Sequence, residues 1–210
     1  HHSLDMDSKG RIYAPIQVKG KRKDEGFAVL DQNLNVLEVY SLQEIFYNSG
    51  LNYKISSTQI ADPFHINDVT PLDNLKEKKI VLISLRSLSS VFAYDMSKRK
   101  IIWLVEGFFN TQHDVDTLNN NASKISIFDN NRLFDKSVRK GNRFVIIDNL
   151  PNLEKDYPEE IMIYSHPLKG VGKNKLEIFN ENFDFFKNKK LKPRTITSGQ
   201  SELISANKSI

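Results

Sequence analysis

Three of the five histidines, His2, His65 and His113, stand at the openings of similar stretches of chain. Each is followed by an apolar position, a loop and a strand-like run. Arg86 lies just past one of those runs. An imidazole can act as nucleophile, base or acid near neutral pH. A guanidinium offers a planar fork to an oxyanion such as sulfate, phosphate or carboxylate. Two readings therefore stand. His113, His65, His2 and Arg86 gather into a site for such an oxyanion, or the histidines simply bond the backbone of neighbouring repeats. Three imidazoles would also suit zinc or copper. No local pair such as His-x-x-x-His occurs, so no metal and no cofactor is assigned. His166, before Pro167, reads as a loop residue.

Other enzyme motifs are absent. The chain has no cysteine, which removes disulfides, thiolate nucleophiles and Cys-type zinc sites together. It has no Gly-x-x-x-x-Gly-Lys-Ser/Thr loop and no Gly-x-Gly-x-x-Gly after a strand. It has no Gly-x-Ser-x-Gly elbow. The run Lys169-Gly170-Val171-Gly172-Lys173 has a phosphate loop's composition but not its spacing.

The elements that must position the histidines are strands. Short β-branched and aromatic runs alternate with turns rich in Asp, Asn, Ser and Gly. Gly10–Ile16, Gly26–Leu30, Val36–Tyr40, Lys79–Leu85, Ser90–Tyr94 and Ile101–Val105 read as strands. So do Lys124–Phe128, Arg143–Ile147, Glu160–Tyr164 and Lys175–Phe179. The Asp31–Asn35 segment and Asp95–Lys100 are expected to turn hairpins. Ser41 is expected to N-cap a short helix over Leu42–Tyr47, with Glu44 as its capping-box partner. Trp103 is assigned to the core. Tyr13, Tyr94 and Phe128 are assigned to packing between sheets, or to lining an aryl pocket. Asn67, Asp68, Asp114 and Asp116 read as turn and strand-edge residues.

The fold class is all-β. Repeats of roughly 40–60 residues made of short strands point to a β-propeller, with one four-stranded blade per repeat. The repeats begin at His2, His65 and His113, with a weaker start at Gly199–Leu203. Approximate blades are 1–60, 61–110 and 111–170, with 171–210 part of a fourth. About three and a half blades would leave strand edges open. That calls for further blades from outside the segment, or for a second copy of the chain, a homo-oligomer. Both termini read as cut. His1 and His2 read either as native or as the remnant of a purification tag.

Composition narrows the partners. Of 210 residues, 39% are hydrophobic and 27% charged, as in ordinary globular chains. No run approaches the roughly 18 apolar residues of a membrane span. Lys and Arg total 30 against 26 Asp and Glu, a formal charge of +4. The basic runs Lys19–Lys23 and Lys187–Arg194 are mostly Lys beside turn residues. They read as solvated loops rather than a nucleic-acid footprint.

Three motifs in order carry a resemblance. His65-Ile66-Asn67-Asp68-Val69 leads into Ile83-Ser84-Leu85-Arg86. Ile101-Ile102-Trp103 leads to Gly107. Gln112-His113-Asp114 is followed by Ile125-Ser126-Ile127-Phe128-Asp129-Asn130. This order resembles the bacterial arylsulfotransferase family that uses no nucleotide sulfate donor. The likeness is strongest from about residue 60 to 131. The opening His1–Asp7 with Gly10–Tyr13 also fits the family's early blade. The resemblance implies a six-bladed propeller with its site in the central channel. Six blades of about 45 residues would need about 270. It further implies transfer of a sulfuryl group from an aryl sulfate to a phenol through a sulfohistidine. His113 would be the nucleophile. His2, His65 and Arg86 would hold the sulfate oxygens and assist the leaving phenolate. A periplasmic or otherwise exported location goes with it. The other readings are a non-catalytic propeller that binds a ligand or protein, and hydrolysis of sulfate esters at the same site.

Overall fold

The computed structural model describes residues 3–18, 24–56, 62–73, 75, 78–131, 142–155, 157–165 and 175–180, the last as backbone. His2, His166, the runs 19–23, 169–173 and 187–194, and the start at 199–203 lie outside the described residues.

The first sheet is an antiparallel meander of β1 (Asp5–Met6), β2 (Ile12–Gln17), β3 (Glu25–Leu30) and β4 (Val36–Ser41). Two helices follow, α1 (Leu42–Asn48) and α2 (Asn52–Ser56). The second sheet is the meander β5 (Ile66–Pro71), β6 (Ile80–Leu85), β7 (Ser90–Asp95) and β8 (Lys100–Glu106). The third opens with β9 (Gln112–Thr117), β10 (Ile125–Asp129) and β11 (Arg143–Asp148). The chain then crosses back. β12 (Met162–Ser165) pairs parallel with β8, and β13 (Lys175–Asn180) returns to pair antiparallel with β11. The chain is thus all-β in its sheets. The sequence expectation of a strand holds at every run named above, with ends shifted by a residue or two.

The strands pack in stacked layers. β6 is buried at all six positions because it is covered on both faces. Val81, Ile83 and Leu85 join the core against the first sheet, while Ile80 and Leu82 join the core against the third. That two-sided burial is why the sequence there is a nearly unbroken apolar run rather than an alternation. β7 alternates cleanly, with Phe92 and Tyr94 to one side and Val91 and Ala93 to the other. In β8 a bulge breaks the alternation. Ala93 pairs with Trp103 and Tyr94 with Ile101. Ile102 and Trp103 therefore both face the third sheet. Trp103 is fully buried, as expected of a core residue.

Local chemistry sets the turns. Asp31 ends the first hairpin strand by accepting the Asn33 and Asn35 N–H groups at 2.8 Å. Asp95 does the same for Ser97 and Lys98. Ser41 caps α1 by accepting the Glu44 N–H at 3.2 Å. Leu42, Ile45 and Phe46 of that helix close the core between the first two sheets. A glycine is required at Gly26, where a Cβ would run into the Tyr40 carbonyl oxygen.

β1, β5 and β9 are edge strands of their sheets, and β5 contacts both of the others. β5 and β9 share no backbone ladder. Side chains bridge them instead. The Asn67 amide donates to the Gln112 carbonyl at 2.6 Å. Asp68 accepts the Val115 N–H at 2.8 Å, and the Thr70 hydroxyl donates to the Val115 carbonyl at 3.0 Å. This corrects the reading of Asn67 and Asp68 as turn and strand-edge residues. Both are buried within β5. They are polar in mid-strand because the neighbouring sheet presents backbone groups that need partners.

Candidate active site

The β5–β9 bridges set the level of the two strands, so both begin at the same end of the stack. His65 immediately precedes β5, with a left-handed backbone at φ 48°. Its carbonyl accepts the Arg86 N–H at 3.1 Å, which holds His65 and Arg86 side by side where β6 turns. His113 is the second residue of β9. Its neighbour Gln112 is buried, and its amide donates to the Leu85 and Ser90 carbonyls at 2.9 and 3.0 Å. Leu85 directly precedes Arg86. One fixed glutamine thus ties the backbone of His113 to that of Arg86. His65, Arg86 and His113 share one end of adjoining strands. His2, the fourth expected member, lies outside the described residues.

Each imidazole is oriented by different chemistry. His113 is buried, and Nδ1 lies 3.1 Å from the Thr111 carbonyl and 2.9 Å from the Asn130 amide nitrogen. When Nδ1 carries its proton it donates to the Thr111 carbonyl and the ring's lone pair is on Nε2, whereas a bare Nδ1 accepts from the Asn130 amide. The backbone is unusual on both sides of it. Thr111 and Asp114 have φ of 57° and 54°, and Asp114 is the extra residue of a bulge between Val115 and His113. Non-glycine residues in this region are sparse and gather at functional sites. His65 is partly buried, and its Nδ1 lies 2.5 Å from a carboxylate oxygen of Asp62. The Asp62 carboxylate also accepts the His65 N–H at 3.1 Å. Arg86 is half-buried, and among the described residues its guanidinium has no hydrogen-bond or ion-pair partner. Such a group suits an incoming anion.

Two carboxyl pairs flank this end. Glu25 of β3 is buried, and burial raises its carboxyl above the usual range against the opposing Ile66 N–H bond. It hydrogen-bonds Asp62. Asp68 is pushed up to about 7, chiefly by burial, and is hydrogen-bonded to Asp5 of β1. Asp5 is raised by burial as well. Among the described residues no three His, Asp or Glu side chains converge as a metal site requires.

Sequence reasoning missed Asp62, Glu25, Thr111 and Asn130. Asp62 had a local signal, an Asp-x-x-His spacing. Asn130 closes the third motif but had no role assigned there, and Glu25 had no signal because its partners Asp62 and Ile66 are distant in sequence.

Stacked antiparallel sheets thus bring His65, Arg86 and His113 to one end of adjoining strands. The chain belongs to the arylsulfotransferase (ASST) family, whose model matches residues 29–207. The match takes in His65, Arg86 and His113, and leaves β1 and β2 outside. No curated protein matches the chain.

Proposed function

We propose that the chain is an arylsulfotransferase-like enzyme that moves a sulfuryl group from an aryl sulfate to a phenolic acceptor. The observation that carries this reading is the family match across His65, Arg86 and His113. In the first half-reaction the Nε2 lone pair of His113 attacks sulfur. The sulfur–aryl oxygen bond breaks, its electron pair leaves with the phenolate, and a protonated histidine beside it gives up the proton that it regains from the acceptor phenol in the second half-reaction. In the second, an acceptor phenol loses its proton, its oxygen attacks sulfur, and the nitrogen–sulfur bond breaks. Arg86 and His65, with His2, hold the three sulfate oxygens. Cationic donors aimed at a transferring group stabilise charge as it shifts during transfer.

The same reading makes the three sheets successive blades of a propeller. Two features support it. The second sheet is covered on both faces, and the edge strands β1, β5 and β9 lie side by side. The first sheet is covered on one face only. Met6, Val36 and Val39 lie on its other face and are more than half exposed. A further blade, from this protein or a second copy, would cover that apolar face. An exported location belongs to the same proposal.

The test is nitrophenolate release from 4-nitrophenyl sulfate by the whole protein, with and without phenol. Release that requires phenol and disappears in His113→Ala is expected. Release without phenol would mean a sulfatase. No release from folded protein across several aryl sulfates would overturn the enzymatic reading in favour of a binding module.

A further inference from the structure

His65 is held by a chain of carboxyl groups that runs across two sheets. Its Nδ1 meets Asp62 at 2.5 Å. A carboxylate only accepts, so the ring proton sits on Nδ1. Asp62 in turn shares a hydrogen bond with Glu25. Two carboxyls can bond only if one is protonated. Glu25 is the buried member, and burial favours its neutral form. One Glu25 oxygen is engaged already, accepting the Ile66 N–H at 3.1 Å. The proton on its other oxygen then points to Asp62. Ile66 follows His65, so this chain closes back on the strand that carries the imidazole.

We propose that Asp62 is the positioning residue of His65, and that protonated Glu25 holds Asp62 in place from the first sheet. Asp62 fixes the ring with Nδ1–H inward, so Nε2 carries the lone pair in the neutral ring and takes up the second proton, and it is in that imidazolium form that Nε2–H can hold a sulfate oxygen. Glu25 makes that orientation depend on the docking of β3 against β5. The catalytic consequence rests on the sulfuryl-transfer reading, whereas the tautomer does not. Asp62 touches no reacting atom, so its loss acts through His65.

The test records ring proton–nitrogen correlation spectra of the whole, folded protein, with His65 assigned by a His65→Gln spectrum. Wild type is expected to hold neutral His65 as the Nδ1–H tautomer. Asp62→Ala is expected to release it to the Nε2–H form that an unconstrained histidine favours. Asp62→Asn and Glu25→Gln keep the acceptor and the donor respectively, and should retain the wild-type tautomer. With 4-nitrophenyl sulfate, Asp62→Ala should lower kcat/KM about ten- to a hundredfold, as with carboxylates that orient metal-binding histidines. Asp62→Asn should recover most of that loss. A wild-type His65 found mainly as Nε2–H would overturn the proposal, even if no variant folds. So would a folded Asp62→Ala with an unchanged tautomer. If wild type turns over no aryl sulfate, the sulfuryl-transfer reading fails while the tautomer still decides this one.

Discussion

Asp68 shows how one buried carboxyl can be read through pH. In the unfolded chain it titrates near the ordinary 3.8, and in the folded protein it is pushed up to about 7. Between those values the folded state binds a proton that the unfolded state does not. Stability is therefore full below about pH 4 as far as this group is concerned, and is lost as pH rises to about 7. Asp5 and Glu25 are raised too, and slope the same way. Asp68→Asn removes the largest of these contributions. Its amide oxygen can still accept the Val115 N–H. Urea unfolding at pH 4, 6 and 8 should show a shallower decline for the variant than for wild type. Equal slopes would mean that Asp68 is ionised in the folded protein throughout. The histidines were legible at this scale because their types are rare and recur at repeat openings. Asp68 was misread because Asp in isolation signals a turn, and only the neighbouring sheet's Val115 N–H explains it in mid-strand.

Helix α1 illustrates what local sequence decides among the elements. The Ser41 hydroxyl accepts from Glu44 and donates to the buried Asp24 carboxylate at 2.6 Å. Asp24 also accepts the Gln43 N–H at 3.3 Å. The capping signal was plain in the sequence, whereas the Asp24 partner was not. Ser41→Ala should cost about 1–2 kcal/mol, the upper part of the range for a lost N-cap, read as a lowered urea midpoint. Ser41 stands at the start of α1, whereas it is Phe46, further along the helix, that packs on Phe64 beside His65, so kcat should change little. Hairpins at Asp31 and Asp95 were equally legible, since an Asp side chain that caps its own turn is a local device. β5 and β9 were not. Their polar residues answer to partners on each other rather than to period-two alternation, and both carry bulges that shift the register. The return of β12 to the edge of β8 is a long-range pairing, and no local pattern announces it.

The stack of sheets as a whole gives the site its meaning. Two apolar cores on either side of the second sheet fix the spacing of β1, β5 and β9. Polar side chains, not a ladder, set the level of these edge strands. That arrangement places His65, Arg86 and His113 at one end without any of them being close in sequence, and the family match spans all three. The order of motifs along the chain carried the family, whereas the partners that orient the rings came from the fold, apart from the Asp-x-x-His spacing at Asp62. In the proposed reaction His113 carries the sulfuryl group between donor and acceptor. The most direct measurement is the intact and peptide mass of the whole protein after incubation with 4-nitrophenyl sulfate alone, under alkaline quench. One added SO3 group is expected on the peptide containing His113, absent from His113→Ala and discharged on adding phenol. Nitrophenolate release with no adduct, or an adduct on another residue, would contradict it.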